Sequence, residues 1–270
     1  MPNIILYFGS FNPIHNGHTA VAGYVLGEGL CDELWFVVSP ANPLKESADL
    51  APDTDRLRMA EIAVAEQLPG RAAKVSDVEF GLPKPSYTID TLRYLAREFP
   101  GNTFSILTGA DIMEEIGRWK DYGEILSGYK IYVYPREGYS PGAYADSVTF
   151  LAGAPMCDYS STDIRKALAE GRGVSRMVSP GVLEYIGTHG LWKSGFEAGL
   201  ERLDAAIAES PSAALYLERG RLYSANGQMD KALNDFLKVR ELDPDNDEAQ
   251  NYITMIREIF AFRYLDYYNP

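Results

Sequence analysis

Cysteine is scarce in this chain, with only Cys31 and Cys157 among 270 residues. Two cysteines so far apart provide neither a disulfide framework, nor a zinc site, nor a CxxC redox pair, so we expect both to be small core residues. The sequence also has no run of 18 or more apolar residues, which argues against a membrane-spanning helix. Its first residues, MPNIILYF, lack the basic segment of a secretory signal. We therefore expect a soluble, cytoplasmic protein without membrane association.

Basic residues are few as well. The chain has 25 Lys and Arg against 38 Asp and Glu, which gives a formal net charge of -13. Nucleic-acid binding needs clustered cations that release counterions from the phosphates, so this balance predicts no nucleic-acid partner. A small phosphorylated substrate stays compatible with it, because such a ligand needs only a few donors that converge in one cleft.

Two common phosphate-binding signatures are absent from the sequence. It contains no GxxxxGK[ST], and no GxGxxG follows the first apolar run. These absences exclude a P-loop ATPase and a standard dinucleotide-binding domain.

The sequence does contain a regular alternation of apolar runs and amphipathic segments. The apolar runs predict strands at residues 4–8, 33–39, 74–80, 104–109 and 130–135. The amphipathic segments predict helices at residues 19–30, at 53–68 with Asp53 as the cap, and at 87–99. Strands separated by helices form a parallel sheet that is covered on both faces. We predict an α/β fold with a Rossmann-like, doubly wound parallel sheet, and a ligand site beyond the carboxyl ends of its strands.

Two of the three histidines stand together where the first predicted strand turns into a helix, in FGSFNPIHNGH at residues 8–18. A lone histidine in a turn is more often solvated or structural than functional. Here Gly9 lets a ligand approach the backbone, Pro13 stiffens the loop, and the helix start offers free N–H groups and a positive dipole end. His15 and His18 can donate hydrogen bonds to phosphate oxygens there. Zinc is disfavoured, since no third ligand stands at suitable spacing.

This segment resembles the HxGH motif of the nucleotidyltransferase superfamily, whose two histidines hold ATP phosphates. Residues 1–193 closely resemble bacterial nicotinate-nucleotide adenylyltransferases, with SPANPLK, SYTIDTL, GADIMEEIGRWK and YSSTDIR following in the family's order. Ser10 and Asn12 stand where the family often has glycine and aspartate. The resemblance implies an enzyme of NAD biosynthesis that transfers the adenylyl group of ATP to nicotinate mononucleotide, forming nicotinate adenine dinucleotide and pyrophosphate.

The resemblance also implies roles for single residues. The implied catalytic residues are His15, His18 and Arg165. The implied ATP site consists of these three together with Gly9, Ser10, Phe11, Gly109, Asp111, Arg136, Ser161 and Thr162. The implied mononucleotide site consists of Tyr87, Thr88 and Trp119, and the tryptophan would stack on the pyridine ring. We add Lys45 for the mononucleotide phosphate, because its loop leaves a predicted strand at the carboxyl end. Mg²⁺ would be carried mostly by ATP, because it keeps several waters and binds substrate phosphates readily, which explains why the sequence shows no dedicated carboxylate cage.

Several of these residues also have purely structural interpretations. Asp111 and Thr88 stand where helices are predicted to begin and can be N-caps. Ser161 and Arg165 can be an ordinary helix start with a solvated arginine. Trp119 can be a core residue, and Lys45 and Arg136 can simply be solvated.

After residue 193 helices follow one another without strands, at residues 200–210, 213–225, 229–242 and 247–262. The middle pair resembles a tetratricopeptide repeat, with Arg219 in place of the usual leucine and the signature positions occupied by Tyr216, Gly220, Tyr223, Ala232, Phe236 and Pro244. We predict a nucleotidyltransferase domain at 1–193 and a small all-α helical-repeat domain at 194–270. The second is interpreted as a structural appendage, with a protein partner or self-association as the alternative.

Two other functions stay open at the level of sequence. The first is another HxGH adenylyltransferase, with nicotinamide mononucleotide or phosphopantetheine as the acceptor. The second is a scaffold without enzymatic activity that senses ATP. Conversion of ATP and nicotinate mononucleotide into pyrophosphate would distinguish all three.

Overall fold

The structure is a computed structural model that describes residues 1–40, 50–193 and 195–266, the last five of these by their backbone alone. Contacts within the chain separate two compact units, Met1–Trp192 and Lys193–Pro270. None of the helices in the described ranges is both long enough and apolar enough to span a membrane.

The first unit is built on one sheet whose described pairings are all parallel. Its strands are β1 (Asn3–Gly9), β2 (Glu33–Val38), β3 (Ala73–Ser76), β4 (Thr103–Gly109), β5 (Lys130–Tyr134) and β6 (Thr149–Phe150). Their order is β3-β2-β1-β4-β5-β6, so the chain reverses direction across the sheet between β1 and β4. The predicted doubly wound fold is confirmed. Ligands of such sheets bind beyond the carboxyl ends of the strands at the reversal, which here are Gly9 and Gly109.

Alternating side chains of β1 divide the core into two clusters. Ile5 and Tyr7 belong to one of them, and Ile4 and Leu6 to the other, because successive side chains of a strand point to opposite faces of the sheet. We call these the Tyr7 cluster and the Leu6 cluster. The Tyr7 cluster takes residues from α1 (Asn16–Gly27), α2 (Asp53–Gln67), α5 (Ser161–Ala169) and α6 (Pro180–His189). The Leu6 cluster takes residues from α3 (Thr88–Glu98) and α4 (Tyr122–Gly128).

Two local predictions are wrong. The strand predicted at residues 74–80 ends at Ser76, and a short 3-10 helix follows at Val78–Gly81. Glu79 within that helix is buried and accepts a hydrogen bond from Thr91 Oγ1 at 2.8 Å, a contact with α3 that a strand pattern does not reveal. The predicted cap of α2 is also wrong, because Pro52 holds the N-cap position and Asp53 instead forms an ion pair inside the helix.

The described residues of the second unit form four helices, α7 (Gly195–Glu209), α8 (Ala213–Ala225), α9 (Met229–Leu242) and α10 (Asp247–Asp266). The close approach of α8 and α9 depends on Gly220, where an added Cβ would lie 2.7 Å from the ring of Phe236. Arg219 donates hydrogen bonds to both carboxylate oxygens of Asp235, at 2.8 and 2.6 Å, and Asp235 is 5% exposed. The unusual arginine therefore has a buried acidic partner on the neighbouring helix.

Candidate active site

His15 and His18 cap the start of α1 with their own rings. His15 holds the N-cap position and its Nδ1 accepts a hydrogen bond from the backbone N–H of Gly17 at 3.2 Å. The Nδ1 of His18 accepts one from the backbone N–H of His15 at 3.1 Å, which completes a reciprocal capping box. Because a backbone N–H can only donate, neither Nδ1 carries a hydrogen, and each neutral ring carries it on Nε2. Both histidines therefore present an N–H donor at Nε2.

The surroundings of the two rings keep them uncharged. Burial, and after it the Arg136 guanidinium, lowers the pKa of His15 to about 3. The pKa of His18 is held well below its usual range by burial, by His15 and by Arg136. The ring centroids of the two histidines are 3.7 Å apart, so a charge on one would repel a charge on the other.

The outer nitrogen of His15 is the most informative atom of the site. His15 is 3% exposed, and within the described residues its Nε2 has no hydrogen-bond partner. A buried donor without an acceptor costs folding free energy and is uncommon in native proteins. The atom is therefore suited to donate to an acceptor that a ligand brings, such as a phosphate oxygen.

Contacts of Tyr7 and Tyr134 lead from the His18 ring to the Arg136 guanidinium. The ring of Tyr7 meets that of His18 edge-on, with centroids 5.9 Å apart, and the Tyr7 hydroxyl donates to the Tyr134 hydroxyl at 3.0 Å. The Arg136 guanidinium lies 5.7 Å from the centroid of the Tyr134 ring. Its Nε is 3.6 Å from Oδ1 of Asp111, which is an ion pair beyond hydrogen-bond length. The structure thus brings Asp111 and Arg136 to the same site as the histidines.

The interpretation of Asp111 as a helix cap is wrong. Gly109 holds the N-cap position of the 3-10 helix Ala110–Glu114. The Asp111 carboxylate instead occupies the space beside Gly109, where an added Cβ would overlap it. Such a Cβ would also lie 3.2 Å from the ring of Tyr134. Gly109 therefore gives the carboxylate and the tyrosine room at the end of β4.

The start of α5 packs against the histidine loop, which we define as residues 10–15. Ser160 caps α5 in a capping box with Asp163, so this segment is a helix start, but Arg165 is not simply solvated. Ser161 Oγ donates to the carbonyl of Pro13 at 2.9 Å, and Arg165 Nη1 donates to the carbonyl of Asn12 at 2.9 Å. The N-termini of α1 and α5 therefore converge on this loop, and each brings a positive dipole end. The free N–H groups expected at the start of α1 are already bonded within the protein, because Asn16 N–H donates to Met177 O and Gly17 N–H to His15 Nδ1.

The remaining residues of the predicted ATP site lie in or beside the histidine loop. The ring of Phe11 fills the space next to Gly9, where an added Cβ would lie 2.9 Å from it. The approach that we expected Gly9 to offer a ligand is thus taken by a side chain of the protein. Ser10 supplies a backbone carbonyl to a buried arginine, described below. Thr162 Oγ1 accepts a hydrogen bond from Arg165 Nη2 at 3.4 Å.

The residues of the predicted mononucleotide site lie near α3. Tyr87 holds the N-cap position of α3 and Thr88 is its first helical residue, so the interpretation of Thr88 as a cap is wrong. Tyr87 and Trp119 are both half-buried against the Leu6 cluster, on the face of the sheet opposite Tyr7. Lys45 lies outside the described residues.

Comparison with known proteins identifies the family. A family model described as cytidylyltransferase-like matches residues 6–167. A protein of Flavobacterium johnsoniae named probable nicotinate-nucleotide adenylyltransferase is 37% identical over 191 residues, which are 70% of this chain and 97% of that protein. One of the same name from Bacteroides fragilis is 44% identical over 183 residues, which are 67% of this chain and 89% of that protein. This chain belongs to the nicotinate-nucleotide adenylyltransferase family.

A solved structure has the same fold as this chain. It is the Plasmodium falciparum nicotinic acid mononucleotide adenylyltransferase complexed with NaAD, which covers 71% of this chain and 98% of its own, with a TM-score of 0.60. The two sequences are 18% identical, so the likeness concerns the fold alone. Helices α7 to α10 lie outside the residues that the cytidylyltransferase-like family model matches.

Sequence analysis missed three residues that line this site, Tyr7, Tyr134 and Cys157, and also the buried Arg56, which binds the carbonyls that follow β1 and β2. Cys157, expected in the core, is half-buried and lines a cleft together with both histidines. Arg56 carried a signal that could have found it. It precedes Met59, Ala60 and Ala63 by three, four and seven positions, on the buried face of α2 where an apolar residue is expected.

Proposed function

We propose that this protein transfers the adenylyl group of ATP to nicotinate mononucleotide. A phosphate oxygen of the mononucleotide attacks the α-phosphorus of ATP in line. The bond from that phosphorus to the bridging oxygen breaks, pyrophosphate leaves, and nicotinate adenine dinucleotide forms. The attacking phosphate is already an anion, so catalysis relies on positioning and on stabilisation of charge, without a general base or a covalent intermediate.

The observation that carries this proposal is the reciprocal capping of His15 and His18. It fixes two neutral imidazoles with their hydrogens on Nε2, and the His15 donor is buried without an acceptor among the described residues. Two such donors suit phosphate oxygens whose charge grows as the bridging bond breaks. Arg136 and Arg165, with the N-termini of α1 and α5, would add positive potential for the same phosphates. We assign the ATP phosphates to this site.

Mg²⁺ is expected to arrive with ATP. The described residues contain no group of three or more His, Cys, Asp or Glu side chains that could hold a metal ion. A site of that kind is not needed, because Mg²⁺ keeps several waters and takes its other ligands readily from substrate phosphates. The ion would offset phosphate charge, while the histidines and arginines orient the phosphates.

Turnover by the purified protein tests the proposal. ATP, Mg²⁺ and nicotinate mononucleotide should yield pyrophosphate and nicotinate adenine dinucleotide in equal amounts. Nicotinamide mononucleotide and phosphopantetheine serve as competing acceptors in parallel reactions. Faster turnover with either would favour the other HxGH adenylyltransferases. Binding of ATP without turnover of any acceptor would instead support an ATP-sensing scaffold.

Trp119 provides a test of the mononucleotide site. Trp119→Ala is expected to raise the KM for nicotinate mononucleotide several-fold and to change that for ATP much less, because a stacked ring is worth about 1 kcal/mol. Trp119→Phe keeps an aromatic ring and should show a smaller increase. A lower melting temperature with both KM values unchanged would show that Trp119 only packs against the Leu6 cluster.

For the second unit we propose a tetratricopeptide-like appendage that catalysis does not require. A chain ending at Lys193 should retain adenylyltransferase activity, because every residue assigned to a substrate precedes that position. Activity and melting temperature should be measured together on the full and shortened chains. A shortened protein that is folded and binds ATP but does not turn over would contradict the appendage. We also propose that the enzyme acts in the cytoplasm, where ATP is available.

A further inference from the structure

Arg56 is a fully buried charge for which the reaction described above has no use. It lies in α2 and is 0% exposed. Each of its five N–H groups has an acceptor. Nε donates to Ala51 O at 2.9 Å, Nη1 to Ser10 O at 2.6 Å and Ser39 O at 2.7 Å, and Nη2 to Pro40 O at 3.1 Å and Asp53 Oδ1 at 2.6 Å. Four of these acceptors are backbone carbonyls, and the single carboxylate balances the charge.

The carbonyls come from the ends of two neighbouring strands. Ser10 directly follows β1 and begins the histidine loop, whereas Ser39 and Pro40 directly follow β2. The two strands are paired in parallel up to Gly9 and Val38, so their carboxyl ends lie side by side and one guanidinium reaches both. The same region is held a second time, because the backbone N–H of Ala51 donates to Oδ1 of Asn12 in the histidine loop at 3.0 Å.

We propose that Arg56 is a positioning residue for adenylyl transfer, which fixes the histidine loop against the end of β2 so that the His15 and His18 donors meet the transferring phosphate. The inference rests on the proposed function. No other natural side chain can take its place, since lysine offers three N–H donors from one nitrogen and would leave at least two of the five acceptors without a partner. The loop would then settle in another position, and a displacement of about 1 Å at reacting groups costs about a hundredfold in rate.

The test is Arg56→Lys, with Arg58→Lys as the matched control. Arg58 lies in the same helix, is exposed, and forms an ion pair with the exposed Glu61. Turnover is expressed per ATP-binding site, with the sites counted by calorimetric titration, so that unfolded protein does not lower the value. We expect kcat of Arg56→Lys to fall about a hundredfold while the KM for ATP rises only a few-fold. Arg58→Lys should match the wild type.

Chemical rescue separates positioning from general support of the fold. In Arg56→Ala, methylguanidinium at millimolar concentration should raise kcat several-fold, and methylammonium at the same concentration should not, because only the former reproduces the planar set of donors. If the Arg56 variants do not fold, Asp53→Asn removes the charged acceptor and leaves Arg56 in place. It should lower kcat several-fold with the number of ATP-binding sites unchanged.

Two results would overturn the inference. One is wild-type kcat per ATP-binding site in folded Arg56→Lys, or in Asp53→Asn where Arg56→Lys does not fold. The other is a lower melting temperature in Arg56→Ala with unchanged kcat, which would make the residue structural only. Absence of turnover in the wild-type protein would refute the proposed function instead. Arg56→Lys would then be judged by its ATP affinity, which should be lower than that of Arg58→Lys, and equal affinities would reject the positioning role.

Discussion

Replacing His18 with alanine is expected to lower kcat about a hundredfold or more, with a much smaller effect on mononucleotide binding. The reason is the Nε2 donor, which the capping geometry leaves available and which we propose stabilises charge that develops only during transfer. Steady-state kinetics with both substrates, together with a melting curve, measure the effect. His15→Ala should behave similarly, with a larger loss of ATP affinity because its Nε2 is the buried donor.

Two further variants separate the chemical role of His18 from its capping role. Asparagine offers an acceptor near the position of Nδ1 and can preserve the hydrogen bond from the His15 backbone. Glutamine instead offers a donor near the position of Nε2. His18→Gln should therefore keep more activity than His18→Asn, while His18→Asn should melt closer to the wild type. Near-normal turnover in folded His18→Ala would show that the assignment is wrong.

The glycine between the histidines provides the second large effect. Gly17→Ala is expected to lower kcat about a hundredfold, since its Cβ would lie 2.8 Å from both Cβ and Sγ of Cys157 and 3.0 Å from Cε1 of His15. The first turn of α1, which carries the Gly17 N–H that His15 caps, would have to move, or the His15 ring would have to rotate. A displacement of about 1 Å at a reacting group costs about a hundredfold in rate. Steady-state kinetics and melting curves measure the loss.

A control and a compensating change make this test specific. A Cβ on Gly27, in the same helix, would meet none of the described residues within 4 Å, so Gly27→Ala should keep normal activity. Cys157→Gly removes both sulfur and Cβ, and combined with Gly17→Ala it should recover at least part of the lost rate. The recovered part is the coupling between the two positions. Equal activities of Gly17→Ala and Gly27→Ala would contradict the packing argument.

Much of the fold could be predicted from the sequence because its signal is local. The apolar runs around Leu6, Phe36 and Ile106 each form a buried parallel strand, and glycine or a polar residue follows. β3 was predicted too long because Glu79 is held by Thr91, a residue of another helix. Contacts of that kind leave no trace in the periodicity of a segment.

The sequence predicts which residue types form the site, but it does not predict how they are arranged. The HxGH segment indicates two imidazoles at a helix start, but not their tautomers. The His15 tautomer follows from its extended backbone, with φ of -142°, which brings its ring back to the N–H of Gly17, and the His18 tautomer follows from the hydrogen bond that its ring accepts from the His15 N–H. Asp111 and Thr88 are not caps, because cap positions depend on where the chain enters the helix. Arg56 finds its acceptors on segments that only the folded sheet brings together.

The fixed tautomers of His15 and His18 have a consequence for the catalytic cycle as a whole. Each Nδ1 accepts a hydrogen bond from a backbone N–H and each Nε2 carries a hydrogen, so neither histidine gains or loses a proton during adenylyl transfer. The two histidines then have the same protonation state when dinucleotide leaves as when ATP binds. No proton transfer is needed to restore them before the next turnover. In the site that we propose, the same unaltered pair would also meet pyrophosphate and dinucleotide when the reaction runs backwards.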